Sequence, residues 1–226
     1  MKLGALFSGG KDSTYALFKA LQSNEVVCLI ALRSLNPESY MFHTPAFEVI
    51  EKQAEALGIP LLLFETAGEK EKELVDLKKA ISEAVEKFKI EGIVTGAVAS
   101  EYQASRIGKI CEEMNLVCVN PLWGIDQIEL LKGLVSDGFE VVIVGVAGYP
   151  MDEKWLGRKI DFSAIEELKK MQEEIGFHPA GEGGEIETLV LDSPLHKKKI
   201  ILVETSKEYA DHAGVLKINK IKLVEK

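Results

Sequence analysis

Cysteine is scarce in this chain, with only Cys28, Cys111 and Cys118 among 226 residues. All three sit in apolar stretches and none has Cys-x-x-Cys spacing, which argues against a disulfide framework or a thiolate metal site. They read as core thiols. No apolar run approaches the roughly 20 residues that a membrane-spanning helix needs, so no membrane association is expected. The apolar run before Gly9-Gly10 is too short for a secretory signal, and the plain expectation is a reducing, cytoplasmic setting. Positive charge is also in short supply: 27 Lys and Arg stand against 36 Asp and Glu, a net charge of −9. That balance disfavours a surface devoted to a nucleic-acid backbone, and no nucleic-acid partner is expected. Internal repeats and low-complexity segments are absent. The Walker A pattern is missing, because four residues do not separate a first glycine from Gly-Lys-Ser/Thr. So is the dinucleotide fingerprint, which needs a third glycine at a set spacing.

What is present is otherwise ordinary for a soluble globular chain: 46% hydrophobic and 28% charged residues. The length suits one large domain or two small ones. The first eighteen residues stand out. Leu3-Gly4-Ala5-Leu6-Phe7 is a short apolar run, Ser8-Gly9-Gly10-Lys11-Asp12-Ser13 a polar glycine loop, and Thr14 to Phe18 the start of an apolar-periodic run. The spacing predicts strand, tight loop and helix. Paired glycines let a backbone approach a ligand closely, and the helix start adds N–H donors and the positive end of a dipole, which suits phosphate. Ser8 and Ser13 supply hydroxyls, Lys11 a mobile cation, and Asp12 a hard oxygen ligand for Mg2+. A glycine turn with Ser or Asp as a helix cap explains the same residues in isolation.

The rest of the first half alternates. Apolar runs at 26–32, 60–64, 92–95 and 116–119 predict four more strands, with helices at 47–57, 70–88 and within 100–114 between them. Strands alternating with helices imply right-handed crossovers and an α/β, doubly wound, parallel five-stranded sheet. Residues 33–45 read as a loop beyond the second strand. Beyond Asp126 the rhythm changes. Helices are expected at 128–134 and at 163–175, the latter capped by Ser163, with strands at 141–146, 200–203 and 215–224. The last two lack a helix of ordinary length between them, so antiparallel pairing is expected there. The domains read as 1–125 and a second, smaller α+β domain, 126–226. Lys197-Lys198-Lys199 reads as a solvated run.

The second unusual stretch is Gly181-Glu182-Gly183-Gly184-Glu185-Ile186-Glu187-Thr188, just before the apolar Leu189-Val190-Leu191. Three glutamates among three glycines make an anionic loop that would attract ammonium, a metal or a cationic substrate group. A solvated turn with its carboxylates in water is the competing reading. On an extended strand Glu185 and Glu187 would point the same way, with Ile186 opposite. His43 and His178 lie in loops and are weaker candidates. Trp123 and Trp155 read as core or interface residues.

Ser8 to Ser13 is similar to the pyrophosphate loop, Ser-Gly-Gly-x-Asp-Ser, of the N-type ATP pyrophosphatases. With Gly96 to Arg106 and Glu-Gly-Gly-Glu-x-Glu-Thr, nearly the whole chain resembles the diphthine–ammonia ligase family within that group. His196, after Pro194-Leu195, stands where an aromatic residue is expected. The resemblance implies a nucleotide-binding first domain and a substrate and ammonia domain after it. It also implies two steps: ATP adenylates a carboxylate and releases pyrophosphate, then ammonia displaces AMP to leave an amide. The implied substrate is diphthine, a modified histidine on elongation factor two, with ammonium as nitrogen source, because no glutaminase-like Cys–His arrangement is visible. Ser8, Gly9, Gly10, Lys11, Asp12 and Ser13 would clamp the phosphates, with Asp12 holding Mg2+. Gly96 would lie beside that loop, where a side chain would crowd the nucleotide. Ser100, Gln103 and Arg106 would reach the phosphates or the adenylate, a solvated helix start being the competing reading of Gln103 and Arg106, and Leu32 would line the adenine pocket. Glu182, Glu185 and Glu187 would collect ammonium, and one would take its proton. A ligase or thiolase of the same class acting on another substrate such as transfer RNA, and a non-catalytic ATP sensor, are the rival readings. A homodimer is a base-rate expectation alone.

Overall fold

The computed structural model describes residues 1–34, 47–67 and 72–226. The chain divides into two compact units, Met1–Trp123 and Gly124–Lys226.

The first unit follows the alternation of its sequence. Its strands are β1 (Lys2–Leu6), β2 (Glu25–Ser34), β3 (Leu61–Thr66), β4 (Gly92–Val94) and β5 (Val117–Val119), and its helices are α1 (Lys11–Leu21), α2 (Phe47–Leu57), α3 (Lys72–Phe88) and α4 (Glu101–Glu113). The strands pair in the order β3-β2-β1-β4-β5, all parallel. Strand β2 is a near-continuous apolar run because helices cover both its faces. Cys28, Ile30 and Leu32 join Leu62, Leu77, Ile81 and Ile93 in one buried cluster. The chain winds outward from β1 through β2 to β3, then returns to β4 on the other side of β1. This reversal makes β1 and β4 the switch point, and ligands of such sheets bind beyond the carboxyl ends of the strands there. Gly58 (φ +68°) ends α2, its N–H bonded to the Ala54 carbonyl. The predicted loop at 33–45, including His43, lies almost wholly outside the described residues. Helix α3 is described only from Lys72.

The second unit carries α5 (Gln127–Ser136), β6 (Glu140–Ala147), α6 (Phe162–Ile175), β7 (Ile186–Asp192), β8 (Lys198–Ala210) and β9 (Ala213–Glu225). Its sheet runs β7-β6-β9-β8 and its pairings are antiparallel. The antiparallel expectation for the two late runs is met, but each strand has thirteen residues. Residues 204–208 are polar and exposed, so they pair with β9 without an apolar pattern to announce it. Asp211 and His212, both at positive φ, join the two strands at the tip. The cap of α6 also differs from expectation. Asp161, not Ser163, stands at the N-cap, its Oδ1 accepting the Ala164 N–H at 2.8 Å, so the helix begins at Phe162.

The three cysteines are free; Cys28 and Cys111 are buried and Cys118 is half-buried. Trp155 is buried under the Arg158 guanidinium, whereas Trp123 is largely exposed. Among the described residues, no helix is long and apolar enough to cross a membrane.

Candidate active site

Leaving β1, the chain turns through Gly9 at φ +78°, a conformation costly for any residue with a Cβ. Gly10 then forms the N-cap of α1 with extended backbone, and among the described residues no side chain caps the helix. The first-turn N–H groups have no acceptor within the helix itself. The capping explanation for Ser8, Asp12 and Ser13 therefore fails. Their side chains serve the loop instead. The Ser13 hydroxyl donates to the Gly10 carbonyl at 3.2 Å and accepts the Ser8 N–H at 3.2 Å. The Ser8 and Ser13 hydroxyls lie 3.1 Å apart, and the Gly10 N–H donates weakly to Ser8 Oγ at 3.4 Å. Thr14 Oγ1 adds a 2.8 Å bond to the Gly10 carbonyl. This closed network fixes the loop backbone around a helix end that is electrostatically positive.

Lys11 departs from the mobile cation that its residue type suggests. It is almost fully buried, and its ammonium meets Asp12 Oδ2 at 2.7 Å. The other carboxylate oxygen, Asp12 Oδ1, is enclosed with no hydrogen-bond partner among the described residues. An enclosed, unsatisfied carboxylate oxygen beside a glycine loop and a helix N-terminus fits a hard cation such as Mg2+.

Gly96 follows β4 and lies against this loop. A Cβ there would come within 2.8 Å of the Asp12 carbonyl carbon and of the Ser13 nitrogen. The obstacle is thus the backbone of the loop itself. Thr95 braces the turn: its hydroxyl donates to Asn120 Oδ1 at 2.7 Å and accepts the Ala97 N–H at 3.1 Å, tying the ends of β4 and β5 together. Ser100 is the N-cap of α4, its hydroxyl accepting the Gln103 N–H at 3.4 Å. Gln103 and Arg106 are half-buried on that helix, with the Arg106 guanidinium stacked 3.5 Å over the Tyr102 ring. Leu32 is buried in the core cluster on the face shared with Cys28 and Ile30.

The anionic loop belongs to the second unit and has its own frame. Gln127, at the start of α5, accepts the Ala180 N–H at 3.0 Å and lies 3.4 Å from His178 Nδ1. Two turns follow, Gly181 N–H to the His178 carbonyl and Gly184 N–H to the Gly181 carbonyl. Gly181 has φ +77°, and a Cβ on it would lie 2.5 Å from the Ile186 carbonyl oxygen. Ile186 is buried and Glu187 exposed, as alternation requires. Glu185 breaks from the expected pairing. It precedes the strand, and its carboxylate folds back to accept the Gly183 N–H at 2.9 Å. Glu187 instead lies over Gly145 of β6, where a Cβ would come within 3.0 Å of it. Glu182 is half-buried at the first turn. Among the described residues, no group of three His, Cys, Asp or Glu is placed to hold a metal.

Two residues escaped the sequence reading. Gln53 of α2 is fully buried and donates to the Gly9 carbonyl at 2.8 Å. The signal was its position: it falls on the apolar stripe of Ile50, Ala54 and Leu57, where a polar residue needs a reason. Gln127 had no such signal.

A glycine loop running into a helix N-terminus, at the switch point of a parallel sheet, defines the first unit as a nucleotide-binding α/β unit. Comparison with known proteins narrows this class. Residues 1–118 match the diphthamide synthase N-terminal domain, and residues 126–224 match the diphthamide synthase C-terminal domain. The chain is 33% identical to the diphthine–ammonia ligase of Bos taurus, over 95% of this chain and 86% of that protein. It is 31% identical to that of Mus musculus, over 100% of this chain and 94% of that protein. Against the diphthine–ammonia ligase of Schizosaccharomyces pombe it is 33% identical over 95% of its length, spanning 38% of that protein. The chain belongs to the diphthamide synthase family, a family of ligases.

Proposed function

We propose that this protein is an ATP-dependent diphthine–ammonia ligase. It adenylates the carboxylate of diphthine on elongation factor two, releasing pyrophosphate, and amidates the adenylate with ammonium to give diphthamide. The observation that carries the ATP half is the Ser8–Ser13 loop, whose hydroxyls and backbone are fixed around the N-terminal end of α1. That end offers N–H donors and positive potential to the β- and γ-phosphates, leaving the α-phosphorus to the incoming carboxylate. Asp12 is the residue that would hold Mg2+, through the oxygen left over from its pairing with Lys11. A bound Mg2+ would neutralise phosphate charge and sharpen the pyrophosphate leaving group. Lys11, buried and already paired, would hold the Asp12 carboxylate in place and add positive charge beneath the phosphates. Ser100, Gln103 and Arg106 would contact the phosphates or the adenylate, and Leu32 would contribute to the wall behind the adenine.

The ammonia half is assigned to the second unit. Glu182, Glu185 and Glu187 supply anionic charge that concentrates ammonium, and one carboxylate removes the proton that makes ammonia a nucleophile. Cytoplasm is the compartment we assign, in keeping with three free cysteines.

The test is pyrophosphate release from ATP by the purified protein with ammonium and elongation factor two, either carrying diphthine or unmodified. The expected result is release with the diphthine-bearing factor alone, together with the mass decrease that replacing OH by NH2 produces on that factor. ATP binding without turnover on either factor would overturn the substrate assignment. Absence of ATP binding would overturn the reading of the loop.

A further inference from the structure

The phosphate loop does not hold its shape unaided. Gly9 is its one positive-φ residue, and its carbonyl receives the Gln53 side-chain amide at 2.8 Å. Gln53 reaches it from α2, forty-four residues further along the chain, and is fully buried. A Cβ on Gly9 would overlap the side-chain oxygen of Gln53, so the two residues are fitted to each other. The peptide group is planar and trans, so the Gly9 carbonyl and the Gly10 N–H point in opposite directions from one rigid plate. Whatever fixes the carbonyl also aims the N–H. On the far side of that plate the Gly10 N–H has, among the described residues, the long 3.4 Å bond to Ser8 Oγ.

We propose that Gln53 is a positioning residue of the ATP site. Its amide donor anchors the Gly9–Gly10 peptide plane, so that the Gly10 N–H faces the pyrophosphate end of the nucleotide. A phosphate oxygen, charged and a stronger acceptor, takes that N–H in place of the Ser8 hydroxyl. The proposal rests on the reading of Ser8 to Ser13 as a phosphate site and adds to it a residue outside the loop. It also explains why a glutamine occupies the buried stripe of α2. A leucine there would leave the Gly9 carbonyl without its donor. A glutamate would set a carboxylate against a carbonyl oxygen and near the phosphates.

The experiment measures binding of pyrophosphate alone and of AMP alone by the full chain, with thermal unfolding in parallel. Wild type is compared with Gln53→Leu, Gln53→Met and Gln53→Glu. In Gln53→Leu and Gln53→Met, pyrophosphate affinity should fall about tenfold or more while AMP affinity is kept, because the lost N–H anchors the peptide at the phosphate end. In Gln53→Glu, pyrophosphate affinity relative to wild type should recover as the pH falls, because protonation returns a donor to the side chain. A purely structural role would move none of these ratios. Equal pyrophosphate affinity in a folded variant overturns the proposal. So does an equal loss of AMP and pyrophosphate affinity, and so does failure of all three variants to fold, which would make Gln53 a determinant of the fold. Failure of wild type to bind pyrophosphate or ATP would instead remove the phosphate reading of the loop, and this inference with it.

Discussion

Gly96 shows how little room the Ser8–Ser13 loop leaves around itself. Its missing side chain is replaced by the backbone of Asp12 and Ser13, at 2.8 to 3.0 Å from where a Cβ would stand. Backbone cannot swing aside as the end of a side chain can, so Gly96→Ala must push the start of α1 away from β4. Overpacking of this kind costs about 1–3 kcal/mol of stability. Displacement of a phosphate-binding backbone by a few tenths of an ångström to an ångström can cost catalysis on the order of a hundredfold. Gly96→Ala is therefore expected to remain folded and lose most of its activity. Pyrophosphate release at saturating ATP, set beside thermal unfolding, checks this. A variant that loses stability and keeps its rate would show that the loop tolerates the shift. The same residue shows where sequence reading stops. Its place beside the first loop was legible from strand order, but the identity of the obstacle needed coordinates.

Among the elements, the turn between β7 and β8 carries the clearest pH signature. His196 is buried, and its Nδ1 lies 2.6 Å from the Ser193 hydroxyl. Burial lowers its pKa from 6.5 to about 4, with the Asp192 carboxylate opposing that shift and the Lys226 ammonium adding to it. The folded chain thus keeps His196 neutral where the unfolded chain protonates it. Its contribution to stability is whole above pH 6.5, is lost as the pH falls from 6.5 towards 4, and levels off below that. The full loss is on the order of 3 kcal/mol. Urea unfolding across this window should show stability falling with acid, and His196→Phe should flatten that part of the profile. An unchanged profile in His196→Phe would assign the acid sensitivity to other groups. Elements of the first unit were readable because a parallel sheet covered on both faces forces long apolar runs such as Val26 to Leu32. The distal half of the β8–β9 hairpin was not, because residues 204–208 are all exposed and carry no alternation. The cap of α6 was misread because Asp161 and Ser163 are both good caps, and only geometry decides which oxygen meets the third N–H of the helix. Gln53 could have been found, as a polar residue on an apolar stripe; that it bonds to the first loop could not.

Across the whole molecule, the Ser8–Ser13 loop belongs to one compact unit and the anionic loop to the other, each built on its own sheet. The proposed reaction has two separable chemical steps, and this division makes a specific demand on variants of the glutamates. Adenylation needs only ATP, the carboxylate substrate and the first loop, so it should survive neutralisation of Glu185 and Glu187. Amidation needs ammonium to be gathered and deprotonated, and should not. In Glu185→Gln the amide oxygen can still accept the Gly183 N–H that the carboxylate now accepts, so the loop keeps its shape while losing charge. In Glu187→Gln the near-isosteric side chain keeps its packing over Gly145. Both variants are therefore tests of charge with little change of structure. The expected outcome is that exchange of labelled pyrophosphate into ATP, dependent on diphthine-bearing elongation factor two, continues near the wild-type rate. Amide formation should fall by about two to four orders of magnitude in the variant that has lost the general base. In the other, the ammonium concentration for half-maximal rate should rise while the limiting rate is kept. Normal amidation by both single variants would remove Glu185 and Glu187 from ammonium handling. Loss of pyrophosphate exchange as well would mean that the glutamates serve the carboxylate substrate and that the two steps are not divided between the units.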